Sequence, residues 1–277
     1  MYAIRSSATV CLVPEARRGP FVFHGDLAEA FKAIGDLGFD GIEIFPPSAD
    51  SLNHDQISDL LTDNNLRLAA VGTGAGMILH GLSLSHRDRR ARERACAYVR
   101  RIIDFASLFG APAIVGSMQG RSGSGQTREQ ALANLMDSLR QLCVSASDRG
   151  VPVLLEPLNR YETDLVNTLQ DGAEVCEKVR MGDLKLLADL FHMNIEEADI
   201  AQSIEIHAEH IGHVHFADSS RRAVGFGHTP MEPIVQALKK NGYKGFLSAE
   251  VFPYPDSRSA AHMTIGSFNR YVGWGGF

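Results

Sequence analysis

The stretch VLLEPLNRYETD, Val153 to Asp164, decides how the chain is read. Val153-Leu154-Leu155 is an apolar run bounded by Gly150 and Pro157. It is too short for a helix and reads as a buried parallel strand with Glu156 as its last residue. A carboxylate at the carboxyl end of such a strand needs a partner that offsets its desolvation, and a metal ion or a polar substrate is such a partner.

On the amino-terminal side an apolar opening over Met1 to Val13 is followed by Leu27, Phe31, Ile34 and Leu37 at helical spacing, stopped by Gly38. Gly41 to Phe45 reads as a strand ended by Pro46-Pro47, Asn53 to Asn65 as a helix, and Leu66 to Val71 as a strand. Gly72 to His86 reads as a loop. A long helix then lines up Val99, Ile102, Ile103, Ala106 and Phe109 on one face and ends at Gly110. Ala113 to Val115 is a strand, Gly116 to Thr127 a polar loop, and Leu132, Leu135, Met136, Leu139 and Leu142 mark the next helix. On the carboxyl side a helix holds Val175 and Val179. Strands follow at Leu184 to Asp189, Ile211 to Phe216 and Phe246 to Val251, with helices over about Ile200 to Glu209, around Ile234, Val235 and Leu238, and over Ser257 to Tyr271.

Eight short apolar runs alternating with eight helical segments predict an α/β fold, a parallel (β/α)8 TIM barrel, as one domain over residues 1–277. The competing doubly wound sheet usually carries a glycine-rich fingerprint after its first strand, and none is present. No linker divides the chain. Gly273, Gly275 and Gly276 suggest a flexible tail or a subunit contact.

Composition narrows the partners. With 44% hydrophobic and 22% charged residues and no low-complexity block, disorder is excluded. A net charge of -6 argues against nucleic acid, whose non-specific binding is electrostatic, and a small polar ligand fits better. The four cysteines, Cys11, Cys96, Cys143 and Cys176, lack metal or disulfide spacing and read as free thiols in a reducing compartment. Neither a membrane span nor a signal segment is apparent, so the expected location is the cytoplasm with no membrane partner.

The polar residues at the strand ends form a pattern. Glu156 ends the fifth strand, Asp189 the sixth in LLADLFH and Glu250 the eighth in FLSAEVFP, while His215 lies near the end of the seventh in HVHFADSSR. In a barrel these positions converge on the carboxyl-terminal mouth. Three carboxylates and one imidazole make a mostly oxygen site that suits Mn2+, Mg2+ or Co2+. An octahedral ion held by four protein ligands keeps two positions open, which a 1,2-dioxygen substrate, such as a ketose carbonyl and its neighbouring hydroxyl, can fill. Any one such residue alone is more often a capped or hydrated loop residue; four in phase are not.

EPLNRYETD, DLFHMNIEE and HVHFADSSR resemble the xylose-isomerase-like TIM-barrel superfamily of sugar isomerases and epimerases. The chain is most similar to the ketose 3-epimerases of D-tagatose and D-psicose type and to the 5-keto-L-gluconate epimerase type. The resemblance covers nearly the whole chain, from GTGAGMILHGLSLSH to AEVFP. It implies that Glu156, Asp189, His215 and Glu250 hold one divalent ion, Mn2+ foremost, and that Glu156 and Glu250 are the paired catalytic carboxylates. It also implies that Glu162 contacts a substrate hydroxyl, and that His192 and Arg221 hold the carbonyl end. The bland alternatives are a solvated loop acid, a core histidine and a surface ion pair.

The implied activity is epimerisation of a ketose or keto-sugar acid. One carboxylate removes the proton beside the carbonyl to give a cis-enediolate, and the other returns it to the far face while the ion's Lewis acidity stabilises charge on oxygen. A homodimer or homotetramer is the expected assembly. Aldose-ketose or hydroxypyruvate isomerisation by the same chemistry stays open, as does a non-catalytic sugar-binding barrel. A nuclease of endonuclease IV type would need further ligands, for which His80, His86 and His228 are the candidates. A Schiff-base aldolase would need a lysine at the mouth, and Lys185 sits at the opposite rim. His24, Met77, His80, Met118 and Arg121 are expected to line the far end of the pocket. Arg121 either reads a carboxylate or phosphate or is an exposed loop arginine.

Overall fold

In the computed structural model, which describes residues 4–123 and 125–273, eight parallel strands close on themselves. The strands are β1 (Arg5–Cys11), β3 (Gly41–Phe45), β4 (Arg67–Gly72), β5 (Ala113–Val115), β6 (Val153–Leu155), β7 (Leu184–Asp189), β8 (Ile211–His215) and β9 (Phe246–Ala249), each beside the next, with β9 pairing back onto β1. A two-residue strand, β2 (Phe23–His24), pairs with Val10 and Cys11, where β1 outruns β9. The expected (β/α)8 barrel is the observed fold.

The helices are α1 (Leu27–Asp36), α2 (His54–Asp63), α3 (Ala75–His80), α4 (Arg89–Ser107), α5 (Arg128–Ser147), α6 (Leu169–Val179), α7 (Leu190–Glu196), α8 (Ile200–His207), α9 (Met231–Lys240) and α10 (Ser257–Phe268). Their starts are chemically marked. Asp26, Asn53, Asp88, Asp199 and Asp256 each accept a first-turn backbone N–H, and α5 and α6 open on capping boxes, Thr127 with Gln130 and Thr168 with Asp171. Val99, Ile102, Ile103, Leu135, Leu139 and Leu142 are fully buried between helices and sheet. Burial of each such side chain stabilises the fold by about 1.5–3 kcal/mol.

The local differences from expectation have physical causes. The ladder of β6 stops at Leu155: Glu156 still donates its N–H to the Val115 carbonyl, but Pro157 has none to offer. Likewise β9 ends at Ala249, one residue before Glu250. The Gly72–His86 segment, expected as a loop, contains α3, and α7 follows β7 directly. The last α-helix ends at Phe268 and continues as a π-helical turn, Asn269–Gly273. Gly275 and Gly276 lie outside the described residues, and no helix among the described residues is long and apolar enough to cross a membrane.

All four cysteines are buried and unpaired. Burial pushes the Cys11 and Cys176 thiols up to about 11 and Cys143 up to about 12. Thiolate is the reactive form, so a disulfide reagent at pH 8 is expected to titrate none of the four rapidly in native protein and all four in denaturant. Fast native reaction of even one thiol would contradict this packing.

Candidate active site

Strand alternation places the chemistry. Residues two apart share a face, so Glu156, Asp189, His215 and Glu250 stand one layer above Leu154, Leu187, His213 and Ser248. Leu154 and Leu187 pack with Ala70 and Ile114 as an apolar layer. Above it, His215 Nδ1 lies 3.1 Å from Asp189 Oδ2, 3.4 Å from Glu156 Oε1 and 3.7 Å from Glu250 Oε2. One ligating atom from each of the four residues falls within 4.8 Å of all the others.

This cluster is unbalanced without a cation. A single ring nitrogen carries at most one proton and cannot satisfy three carboxylate oxygens. Glu156 Oε1 is buried and accepts no hydrogen bond. Burial pushes the Glu250 carboxyl up, and its neighbours Glu156 and Asp189 add to this against His215 and Arg221. Burial acts the same way on Asp189, but His192 and His215 outweigh it and hold this acid well below the usual range. Burial disfavours a proton on His215, yet Glu43, Glu250, Asp189 and Glu156 together raise it well above an ordinary imidazole. Hard oxygen donors with one imidazole fit a divalent ion such as Mn2+, Mg2+ or Co2+ at the common centre, where it would offset these charges.

Around the quartet stand the other three expected residues. Arg221 Nη2 donates to Glu250 Oε2 at 2.8 Å and Nη1 to Glu162 Oε1 at 3.2 Å, with the guanidinium 4.8 Å over the Phe191 ring. Its backbone is left-handed, φ 54°, in a loop tied by the Asp218 carboxylate, which accepts the N–H groups of Ser219, Gly225, Gly227 and Thr229. A non-glycine residue in that conformation persists only where its surroundings over-determine it. His192 is buried on α7. Its Nδ1 faces the Asn159 backbone N–H at 3.2 Å, and its Nε2 lies 3.4 Å from Arg221 Nη2, 4.0 Å from Glu156 Oε1 and 3.9 Å from Asp189 Oδ2. Arg221 is thus paired with two acids beside the quartet, and His192 stands against the backbone of Asn159.

Asp189 has a second task. Its Oδ1 accepts the N–H groups of Phe191 and His192, starting α7, while Oδ2 faces His215. Capping holds the carboxylate in one orientation and carries His192 to the site.

A cavity of about 370 Å³ opens above the quartet, walled by Phe21, Phe45, Met77, Ile78 and Leu158 among others. Of the five residues expected at its far end, only Met77 lines it. Met118 is fully buried in the core, and Arg121 Nη1 reaches the Tyr161 carbonyl at 3.5 Å. His24 borders a separate cavity, and His80 packs edge-on against Tyr98. Sequence reading passed over Glu43, His213 and Asn159. A lone acid inside the apolar GIEIF was the available signal, because a buried charge demands a partner.

Gly116 shows how tightly Glu156 is seated, since a Cβ there would lie 2.3 Å from Glu156 Oε2. Gly116→Ala is expected to displace the carboxylate and lower turnover by about 100-fold, the cost of a 1 Å misplacement. Steady-state assay of the variant checks this, and unchanged turnover would show that the Glu156 position is not critical.

A family profile described as xylose isomerase-like TIM barrel matches residues 31–265, and the chain belongs to that family. It is 29% identical to the D-psicose 3-epimerase of Ruminiclostridium cellulolyticum over 239 residues, 83% of this chain and 80% of that protein. It is also 29% identical to the 3-dehydro-D-guloside 4-epimerase of Escherichia coli over 237 residues, 82% of this chain and 88% of the other. The crystal structure of a D-allulose 3-epimerase from a Methylomonas species, in complex with D-allulose, superposes with a TM-score of 0.82 at 22% identity. That match covers 98% of both chains and supports the fold.

Proposed function

We propose that the protein is a divalent-metal-dependent epimerase of an uncharged ketose. The observation that carries this reading is the convergence of three carboxylate oxygens within 3.1 to 3.7 Å of one imidazole nitrogen at the barrel mouth. The epimerase names of the relatives agree with it. Glu156, Asp189, His215 and Glu250 would hold the ion, Mn2+ foremost, which when bound supplies Lewis acidity to the sugar's carbonyl and neighbouring hydroxyl oxygens.

The remaining chemistry belongs to the side chains. One of Glu156 and Glu250 takes the proton from the carbon beside the carbonyl, leaving a cis-enediolate, and the other returns a proton to the opposite face. Arg221 and His192 flank the oxygen on which charge develops and hold it, and Glu162 takes a sugar hydroxyl. His80, His86 and His228, which a nuclease of the endonuclease IV type would need as ligands, do not join the quartet among the described residues. Lys185 donates to the Glu209 carbonyl, so it is committed to a backbone contact rather than to Schiff-base chemistry. The four reduced thiols accord with a cytoplasmic protein, and the expected assembly is a homodimer or homotetramer.

Charge at the cavity wall narrows the substrate. Arg221 is the one lysine or arginine among the described residues that line it, and Glu250 and Glu162 already engage that side chain. A phosphate or carboxylate on the sugar would find no unspent cation. Sugar phosphates and keto-sugar acids are expected to show kcat/KM at least about tenfold below free ketoses, the worth of one unmatched charge-assisted hydrogen bond.

The test is a panel of free ketoses, keto-acids and sugar phosphates incubated with the Mn2+-loaded protein in deuterium oxide. A free ketose is expected to gain deuterium at the inverted carbon. Epimerisation without label would indicate a hydride shift, an aldose product would indicate an isomerase, and no exchange on any substrate would indicate a binding protein.

A further inference from the structure

His215 also belongs to a second buried cluster, whose other members, Glu43 and His213, the proposed reaction does not use. Glu43 on β3 is 5% exposed, and His213 and His215 on β8 are each 1% exposed. Glu43 Oε2 is 3.0 Å from His213 Nε2, and Glu43 Oε1 is 3.2 Å from His215 Nε2. The two rings cross edge to face at 5.7 Å. Each carboxylate oxygen therefore serves one imidazole.

The backbone is irregular at both ends of this bridge. Between β3 and β4 the pairing jumps from Ile42↔Leu68 to Glu43↔Ala70, leaving Ala69 as an extra residue beside Glu43. Between β7 and β8 it jumps from Leu186↔Ile211 to Leu187↔His213, leaving Gly212 extra just before His213. Such bulges re-aim side chains near functional sites. Here they bring an acid and two histidines, 170 and 172 residues apart, to one point inside the barrel.

We propose that Glu43 is a positioning residue: by accepting the Nε2–H of His215 and of His213 it fixes the His215 ring with Nδ1 turned to Glu156, Asp189 and Glu250. An ionised carboxylate only accepts, so each facing nitrogen carries the proton. With Nε2 committed to Glu43, His215 turns its other ring nitrogen, Nδ1, to the ligand cluster. A carboxylate behind a ligating imidazole orients the ring and raises its basicity. His213 occupies the other oxygen of Glu43, so the clamp has no freedom to rotate away.

This inference rests on the proposed metal reading for its effect on affinity, but the hydrogen bond can be observed without any ion. In 15N-histidine-labelled, metal-free protein, the Nε2 protons of both His213 and His215 are expected as slowly exchanging, downfield NMR signals. Absence of a proton on His215 Nε2 would overturn the proposal. Glu43→Gln is expected to lose the His215 signal and to weaken Mn2+ binding, measured by titration of metal-free protein, by about 10- to 100-fold. His213→Gln, which leaves the Glu43–His215 bond in place, should weaken it much less. Unchanged Mn2+ affinity in Glu43→Gln would overturn the clamp, as would two ions per wild-type chain, since the cluster would then be a second metal site. If wild-type protein binds no Mn2+ while the Nε2 proton is present, the metal reading falls and the clamp stands. Should Glu43→Gln fail to fold, the wild-type spectrum alone decides.

Discussion

Glu156→Gln and Glu250→Gln are each expected to lower kcat by about 10³-fold or more, with the fold intact, because each removes one of two bases and a cation ligand together. The glutamine is nearly isosteric. It also removes a negative charge from a cluster where Glu156, Asp189 and Glu250 crowd one imidazole, so the metal-free thermal midpoint should hold or rise. Circular dichroism melts beside steady-state assays separate the two effects. Near-normal turnover in either variant would remove the two-base scheme, and a collapsed fold would show that the acid is structural.

Chelation carries the second large effect. A protein stripped of divalent ions is expected to lose turnover completely and recover it on addition of Mn2+. If the ion binds only the folded chain, saturation at 100 times its dissociation constant contributes about 2.7 kcal/mol of stability. In a barrel of this size that corresponds to a rise in Tm of about 5 °C. Calorimetry with and without chelator measures it. Full activity in chelator would contradict the proposed role of the ion, whereas a Tm rise without activity would point to a purely structural cation.

How far the sequence anticipated this site depends on the range of the interactions involved. Gly41–Phe45, Ala113–Val115 and Leu184–Asp189 are strands at the residues where apolar runs meet glycine, proline or charge, because burial on both faces writes itself into a continuous apolar string. The quartet was legible for the same reason: each member closes such a run, and barrel closure brings successive strand ends to one rim. The short helices α3 and α7, of 6 and 7 residues, are too brief to show a helical period. Asp189 announces α7 only as a cap, a role masked by its position at a strand end.

Long-range pairings were the harder part. Glu43 reads as an odd acid in an apolar strand until His213 and His215 are seen across the barrel, and no local pattern links them. The far wall of the cavity is similar. Phe21, Phe45 and Ile78 converge there from a loop, a strand and a helix, while His80, two residues after Ile78, turns against Tyr98 and Met118 into the core. Loop residues reach a pocket by backbone path, which hydrophobic periodicity does not encode.

Manganese titration of metal-free protein, with the bound ion located by anomalous scattering in crystals, puts the account at greatest risk. One ion per chain is expected, with Glu156, Asp189, His215 and Glu250 as its protein ligands. No bound ion, or an ion held by other residues with this quartet empty, would contradict the account.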